Sequence, residues 1–160
     1  MIAKIKPSKS GYTAIFERKL NQPVEEIWSW LTDNDKLAQW FPELRVGRLH
    51  EGGFMKFDMG DGTFEEMRIT DLKIGSVLEY TWGEDRVRFE LSSEQADGSR
   101  LILKEQLEKW TDHTPKDLAG WHVCLDVIAA LAAGHTIFSR EEQWKECYQK
   151  YIQEINKIKA

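Results

Sequence analysis

Between residues 44 and 109 the chain alternates apolar and polar side chains in short runs. Each run closes on a glycine-containing turn: EGG at 51–53, GDG at 60–62, IGS at 74–76, GED at 83–85 and DGS at 97–99. A period of two with this punctuation predicts a meander of about six antiparallel strands. The alternation also sets an inward face. It takes Met55, Phe57 and Met59, then Met67 and Ile69, then Leu78, Tyr80 and Trp82. Val87, Phe89 and Leu91 continue it, followed by Leu101, Leu103 and Leu107, with Glu105 on the same parity as these leucines. An earlier run, YTAIFERKL at 12–20, reads as a first strand.

Elsewhere the period is close to four. Pro23 followed by Glu25 and Glu26 opens a helix to about Leu31, with Val24, Ile27, Trp28 and Leu31 on one face, and a second short helix runs from Asp33 to Trp40. Thr114-Pro115-Lys116-Asp117 reads as an N-cap Thr, Pro in the first position and an acid in the third, so a long helix covers 115–134 and stops at Gly134. Its stripe is Leu118, Trp121, Leu125, Ile128, Ala129 and Ala132, where the small residues leave room beside a sheet. A capping box at Ser139 begins a last helix to about Ile158, with Trp144, Tyr148, Tyr151, Ile152 and Ile155 on one face, and that face packs on this chain or on a partner.

The order of elements excludes a parallel α/β fold and predicts an α+β protein: a curved antiparallel sheet whose apolar face is covered by the helix at 115–134. Residues 1–160 are read as a single domain, with 136–160 as a C-terminal helical extension.

Composition narrows the function. The formal net charge of -5, with no Lys/Arg cluster, speaks against nucleic-acid binding. The longest apolar stretch, Val123 to Gly134, is broken by Asp126 and falls short of the ~20 residues that span a bilayer. No secretory signal precedes it, and Cys124 and Cys147 form no CxxC pair and no ligand cluster with the four histidines. A cytoplasmic protein with two free thiols is expected. Seven Trp in 160 residues form a heavy aromatic load that must be buried somewhere.

Several stretches, taken in this order, resemble a known family: FERKLNQPVEEIWSWLTDNDKLAQWF at 16–41, EGGFMKF at 51–57, VLEYTW at 77–82, VRFEL at 87–91, DGSRLILKEQ at 97–106 and GWHVCLDVIAAL at 120–131. The sequence is similar to the homologues of the activator of heat-shock protein 90 ATPase (Aha-type), within the START-like or SRPBCC helix-grip superfamily. The resemblance implies a sheet of about seven strands gripping the C-terminal helix, two short helices between strands 1 and 2, and an apolar cavity between sheet and helix. In that superfamily such cavities hold lipids, sterols, polyketides or similar molecules, and some members catalyse cyclisation or related reactions.

Three functional readings follow: a binder of a hydrophobic small molecule, a chaperone cofactor of the heat-shock protein 90 activator type, and a cyclase- or hydrolase-type enzyme. The expected cavity wall is Trp40, Phe41, Met55, Phe57, Met59, Met67, Tyr80, Trp82, Phe89, Leu103, Glu105, Trp121, Leu125, Ile128, Ala129 and Ala132. The alternative is a closed core made of the same side chains. Glu105 is the sharpest position, because a carboxylate on an apolar strand face must be solvated, hydrogen-bonded or paired, unless a bulge turns it outward. Tyr80 and His122 are the accompanying polar candidates, Tyr80 as a hydroxyl inside the wall and His122 at the helix flank. Metal, dinucleotide, P-loop and Ser-hydrolase motifs are missing, so no metal or cofactor is expected, and the protein is read as a monomer or weak homodimer.

Overall fold

The computed structural model describes residues 2–159. Its strands are β1 (Lys4–Pro7), β2 (Tyr12–Leu20), β3 (Leu44–Arg48), β4 (Phe54–Asp58), β5 (Phe64–Lys73), β6 (Val77–Trp82), β7 (Asp85–Ser93) and β8 (Ser99–Leu107). Its helices are α1 (Val24–Thr32), α2 (Asn34–Trp40), α3 (Thr114–Ala132) and α4 (Arg140–Lys159). All eight strands form one antiparallel sheet in the order β1-β2-β8-β7-β6-β5-β4-β3. The meander from β3 to β8 follows the sequence turn for turn. One strand exceeds the expectation: β1 pairs with β2 from Lys4 opposite Ile15 to Pro7 opposite Tyr12. Four residues with alternating lysines and a terminal proline carry too little apolar signal to announce an edge strand. Its turn depends on Gly11, where an added Cβ would strike the carbonyl oxygen of Leu107.

The inward face fills as the alternation predicts, with Met55, Met67, Ile69, Leu78, Tyr80, Val87, Phe89, Leu101, Leu103 and Leu107 all buried. Met59 does not join them. It lies beyond β4 and is 54% exposed, because β4 ends at Asp58 and the chain turns toward β5. The outer face is polar and laced with ions, Arg88 lying 2.8 Å from Asp71 and 2.6 Å from Glu90.

Helix α3 departs from the simple stripe. Leu118, Trp121, Leu125 and Ile128 are buried, but so are Ala119, His122, Val123, Cys124 and Val127 on other sides of the helix, whereas Ala129 and Ala132 are only half-buried. A helix apolar nearly all round must be covered nearly all round. The sheet covers one side and α4 packs along another, burying Cys147, Tyr151 and Ile155. Helix α4, the bulk of the extension, therefore packs on this chain. The helix start also differs from its expectation: His113 occupies the cap position, and Thr114 Oγ1 accepts the Thr111 N–H at 2.9 Å instead of capping the helix.

His122 sits at the α3–α4 contact, 5% exposed. Its Nδ1 is 2.9 Å from the Tyr151 hydroxyl, its Nε2 is 3.4 Å from Asp126, and Asp126 accepts from Arg18 Nε on β2 at 2.9 Å. The Tyr151 hydroxyl also accepts the Ala3 N–H at 2.8 Å. With the proton on Nε2 facing Asp126, the Tyr151 hydroxyl donates to Nδ1, so one phenol ties α4 to α3 and to the residue preceding β1. Removing that oxygen in Tyr151→Phe strands the Ala3 N–H and the His122 Nδ1. Equilibrium urea unfolding should show a loss of about 1–3 kcal/mol with the helical circular dichroism unchanged. A loss below about 0.5 kcal/mol would show that the network does not hold α4 in place.

Candidate functional site

The sequence places open space along α3, beside Ala129 and Ala132. The structure places it at the other end of the helix. A cavity of about 580 Å³, open to solvent on one side, lies between the first turns of α3, the Phe41-Pro42 segment after α2 and the start of α4. Phe41, Trp82, Trp121 and Trp144 supply its aromatic walls, and Gly120 lies between them on α3. A second cavity of about 370 Å³ opens beside the end of β6 and the start of β7, with Phe57, Met59, Asp85 and Leu107 in its wall. The two cavities share Trp82, His113 and Asp117.

The predicted wall divides accordingly. Phe41, Trp82 and Trp121 border the first cavity, and Phe57, Met59 and Trp82 border the second. Trp40, Met55, Met67, Tyr80, Phe89, Leu103, Leu125 and Ile128 border neither and are packed in the core. The reason is the bulk of the rings. Phe41 inserts between sheet and helix, its centroid 6.0 Å from Trp40, 5.9 Å from Phe57, 5.8 Å from Trp82 and 5.9 Å from Trp121. Trp82 and Trp121 meet edge-on at 5.0 Å. Edge-to-face rings at these spacings fill the space they would otherwise line. Ala129 and Ala132 border neither cavity, and neither does His122.

Glu105 faces inward. Strand β8 runs without a bulge, Glu105 standing opposite Ala14 on β2 and Val87 on β7, and its side chain is fully buried. Neither carboxyl oxygen meets a hydrogen-bond donor among the described residues. Its neighbour is another acid, Asp117 in the first turn of α3, which accepts the Trp82 indole N–H at 3.0 Å. Burial pushes the Glu105 carboxyl well above the usual range, and the neighbouring acids Asp117 and Asp85 push the same way. A carboxyl buried without a partner is disfavoured as the anion. Glu105 is therefore held in its neutral form, while Asp117 beside it accepts the Trp82 N–H. Asp85, in the wall of the second cavity, is also raised, by burial first, against the pull of the Glu108 N–H that it accepts at 3.0 Å.

Tyr80 and His122, the other polar candidates, border neither cavity. Tyr80 is 1% exposed, and burial raises its hydroxyl. Cys124 touches the first cavity, but burial pushes its thiol up to about 12 even though Arg140 opposes the shift. Arg140 lies 3.3 Å from Cys124 Sγ and donates to the Trp40 carbonyl at 2.8 Å, so it closes the gap between α2 and α4. Asp117, Gly120 and Trp144 border the first cavity but are not among the predicted wall residues, periodicity placing Trp144 only on the apolar face of the last helix. Asp117 follows a proline as an ordinary first-turn acid, and its pairing with Trp82 crosses 35 positions. Among the described residues no cluster of three or more His, Cys, Asp or Glu side chains has metal-site geometry, and no helix is long and apolar enough to cross a membrane.

A long helix gripped by an open antiparallel sheet, with two short helices between its second and third strands, defines a helix-grip α+β protein. The chain belongs to the family described as Activator of Hsp90 ATPase homolog 1-like protein, whose model matches residues 21–133. Solved structures agree on the fold. A conserved protein of unknown function from Enterococcus faecalis superposes with a TM-score of 0.85 at 26% identity, over 97% of this chain and 91% of that one. CalU16 from Micromonospora echinospora gives 0.72 at 20% identity, over 94% of each chain. DynU16, of the dynemicin biosynthetic locus, gives 0.65 at 21% identity, over 81% of this chain and 49% of that one. No curated protein matches the chain.

The raised Glu105 carboxyl has a measurable consequence. Because the folded pKa of Glu105 is raised, the native state holds this proton more tightly than the unfolded chain does. The associated stability is complete below the unfolded carboxylate value of about 4.3 and declines as pH rises from there toward the folded value. Glu105→Gln keeps the shape but removes the titration. Thermal unfolding should find the variant's melting temperature gaining on that of the native chain as pH rises from about 4 to 8. A difference that does not change with pH would contradict a buried, proton-holding Glu105.

Proposed function

We propose that this protein binds a small apolar or aromatic molecule in the cavity at the N-terminal end of α3. The observation that carries the reading is the cavity itself: about 580 Å³, within the usual range for small-molecule sites, walled by four aromatic rings and bordered by Glu43, His113, Lys116, Asp117, Arg140 and Glu141. Gly120 adds support. It lies inside a helix, where glycine costs roughly 0.5–1 kcal/mol relative to alanine, and a Cβ there would meet only Trp144 Nε1 at 4.0 Å. The position thus gives up helix stability and keeps space open beside Trp121 and Trp144. The likeness to DynU16 points the same way, toward small-molecule chemistry.

Acid–base catalysis through Glu105 is a second reading, favoured by its raised, fully buried carboxyl next to Asp117, which borders both cavities. It begins from the same bound molecule, so binding is the first thing to test.

Gly120→Leu separates a site from a packing accident. Leucine fills the cavity and is a better helix former by up to about 1 kcal/mol, so the variant should melt at or above the native temperature. In a screen of aromatic fragments, fatty acids and polycyclic compounds followed by thermal shift, the compounds that stabilise the native protein should lose their effect on the variant. Retained shifts on a stable Gly120→Leu protein would place binding elsewhere, and no shift from any compound on the native protein would remove the reading.

A further inference from the structure

The second cavity differs from the first in charge. Its wall holds four carboxylates, Glu65, Glu84, Asp85 and Asp117, against Lys109 and His113. Lys109 is already engaged, its ammonium 3.5 Å from Glu84. Glu65, Asp85 and Asp117 make no ion pair among the described residues. Near Asp117 stands Glu105, fully buried, with no hydrogen-bond partner for either oxygen among the described residues. The same cavity presents the rings of Phe57 and Trp82, whose centroids are 6.1 Å apart and whose planes are nearly perpendicular.

Carboxylates beside aromatic faces are complementary to one kind of ligand group. The ring faces attract a cation through their quadrupoles, and a carboxylate supplies a charge-assisted hydrogen bond or a counter-charge. A small hydrated metal ion gains little from indole and phenyl faces. A compact organic cation with its own apolar surface gains from both. The aromatic cavity lies across Trp82 from this acidic one, with Asp117 on the shared edge. Resting on the reading that the aromatic cavity binds an apolar body, we propose that the ligand is an amphiphilic amine: its ammonium group sits against Asp117 and the Trp82 face, toward Asp85, and its apolar part lies among Phe41, Trp121 and Trp144.

Isothermal titration of naphthylethylamine, naphthylethanol and naphthylacetic acid tests this, because the three share one apolar body and differ only in head-group charge. The amine should bind about tenfold or more tighter than the alcohol, and the acid should be weakest. The amine-to-alcohol ratio should drop sharply in the native protein at about 1 M salt, where the screening length falls to roughly 3 Å. It should approach one in Asp117→Asn, and the salt series supports or overturns the proposal even if that variant does not fold. Equal binding of amine and alcohol overturns the cationic preference and leaves the apolar site standing. Tightest binding by the acid assigns the opposite charge to the ligand and overturns the proposal. Binding by none of the three overturns both readings.

Discussion

The structure depends on one constraint: the middle of α3, from Leu118 to Ile128, is apolar on nearly every side and has to be covered on nearly every side. A sheet covers one side of a helix. The remainder falls to α4, which packs along α3 through Tyr151 and Ile155, and to Ile27 and Leu31 of α1 and Leu37 of α2, which join the same core. Among the polar groups caught in this enclosure, His122 is partnered by Tyr151 and Asp126, whereas the Trp121 indole N–H and the Glu105 carboxyl have no hydrogen-bond partner among the described residues. Where the cover runs out, at the N-terminal end of α3, the helix turns polar at Lys116 and Asp117, and there the cavities lie.

The legibility of the fold follows from this. The meander was readable because each strand carries its own turn and its own alternation, both local properties. The burial of Glu105 was readable as a question. Its answer needed the register of β8 between Ala14 and Val87, which a sequence fixes only if no bulge intervenes. Edge strand β1 was hidden because lysines and a proline are what an edge tolerates.

The candidate site was only half visible. Parity correctly turned Met55, Met67, Tyr80, Phe89 and Leu103 inward, but parity does not say whether inward residues enclose space or fill it. That depends on how rings from distant segments interlock. Phe41 fills the room that a smaller residue would have left between Trp82 and Trp121. The alanines of α3 pointed to the wrong end of the helix, since Ala129 and Ala132 lie at its half-buried C-terminal end. The position that keeps space open is Gly120, which sequence reading passes over as a helix-weakening residue. Asp117 was missed for a different reason: its role comes from Trp82 and Glu105, both brought to it by the fold.

The seven tryptophans make the central claim directly measurable. Trp82, Trp121 and Trp144 border the aromatic cavity, whereas Trp30 and Trp40 are buried away from it, the Trp40 indole donating to the Trp30 carbonyl at 2.8 Å. The indole N–H resonances of a nitrogen-15-labelled sample, followed while an aromatic fragment is added, report on each ring separately. The account predicts saturable shifts at Trp82, Trp121 and Trp144 with Trp30 and Trp40 unmoved. Shifts at Trp30 and Trp40 with the cavity indoles unmoved would contradict it.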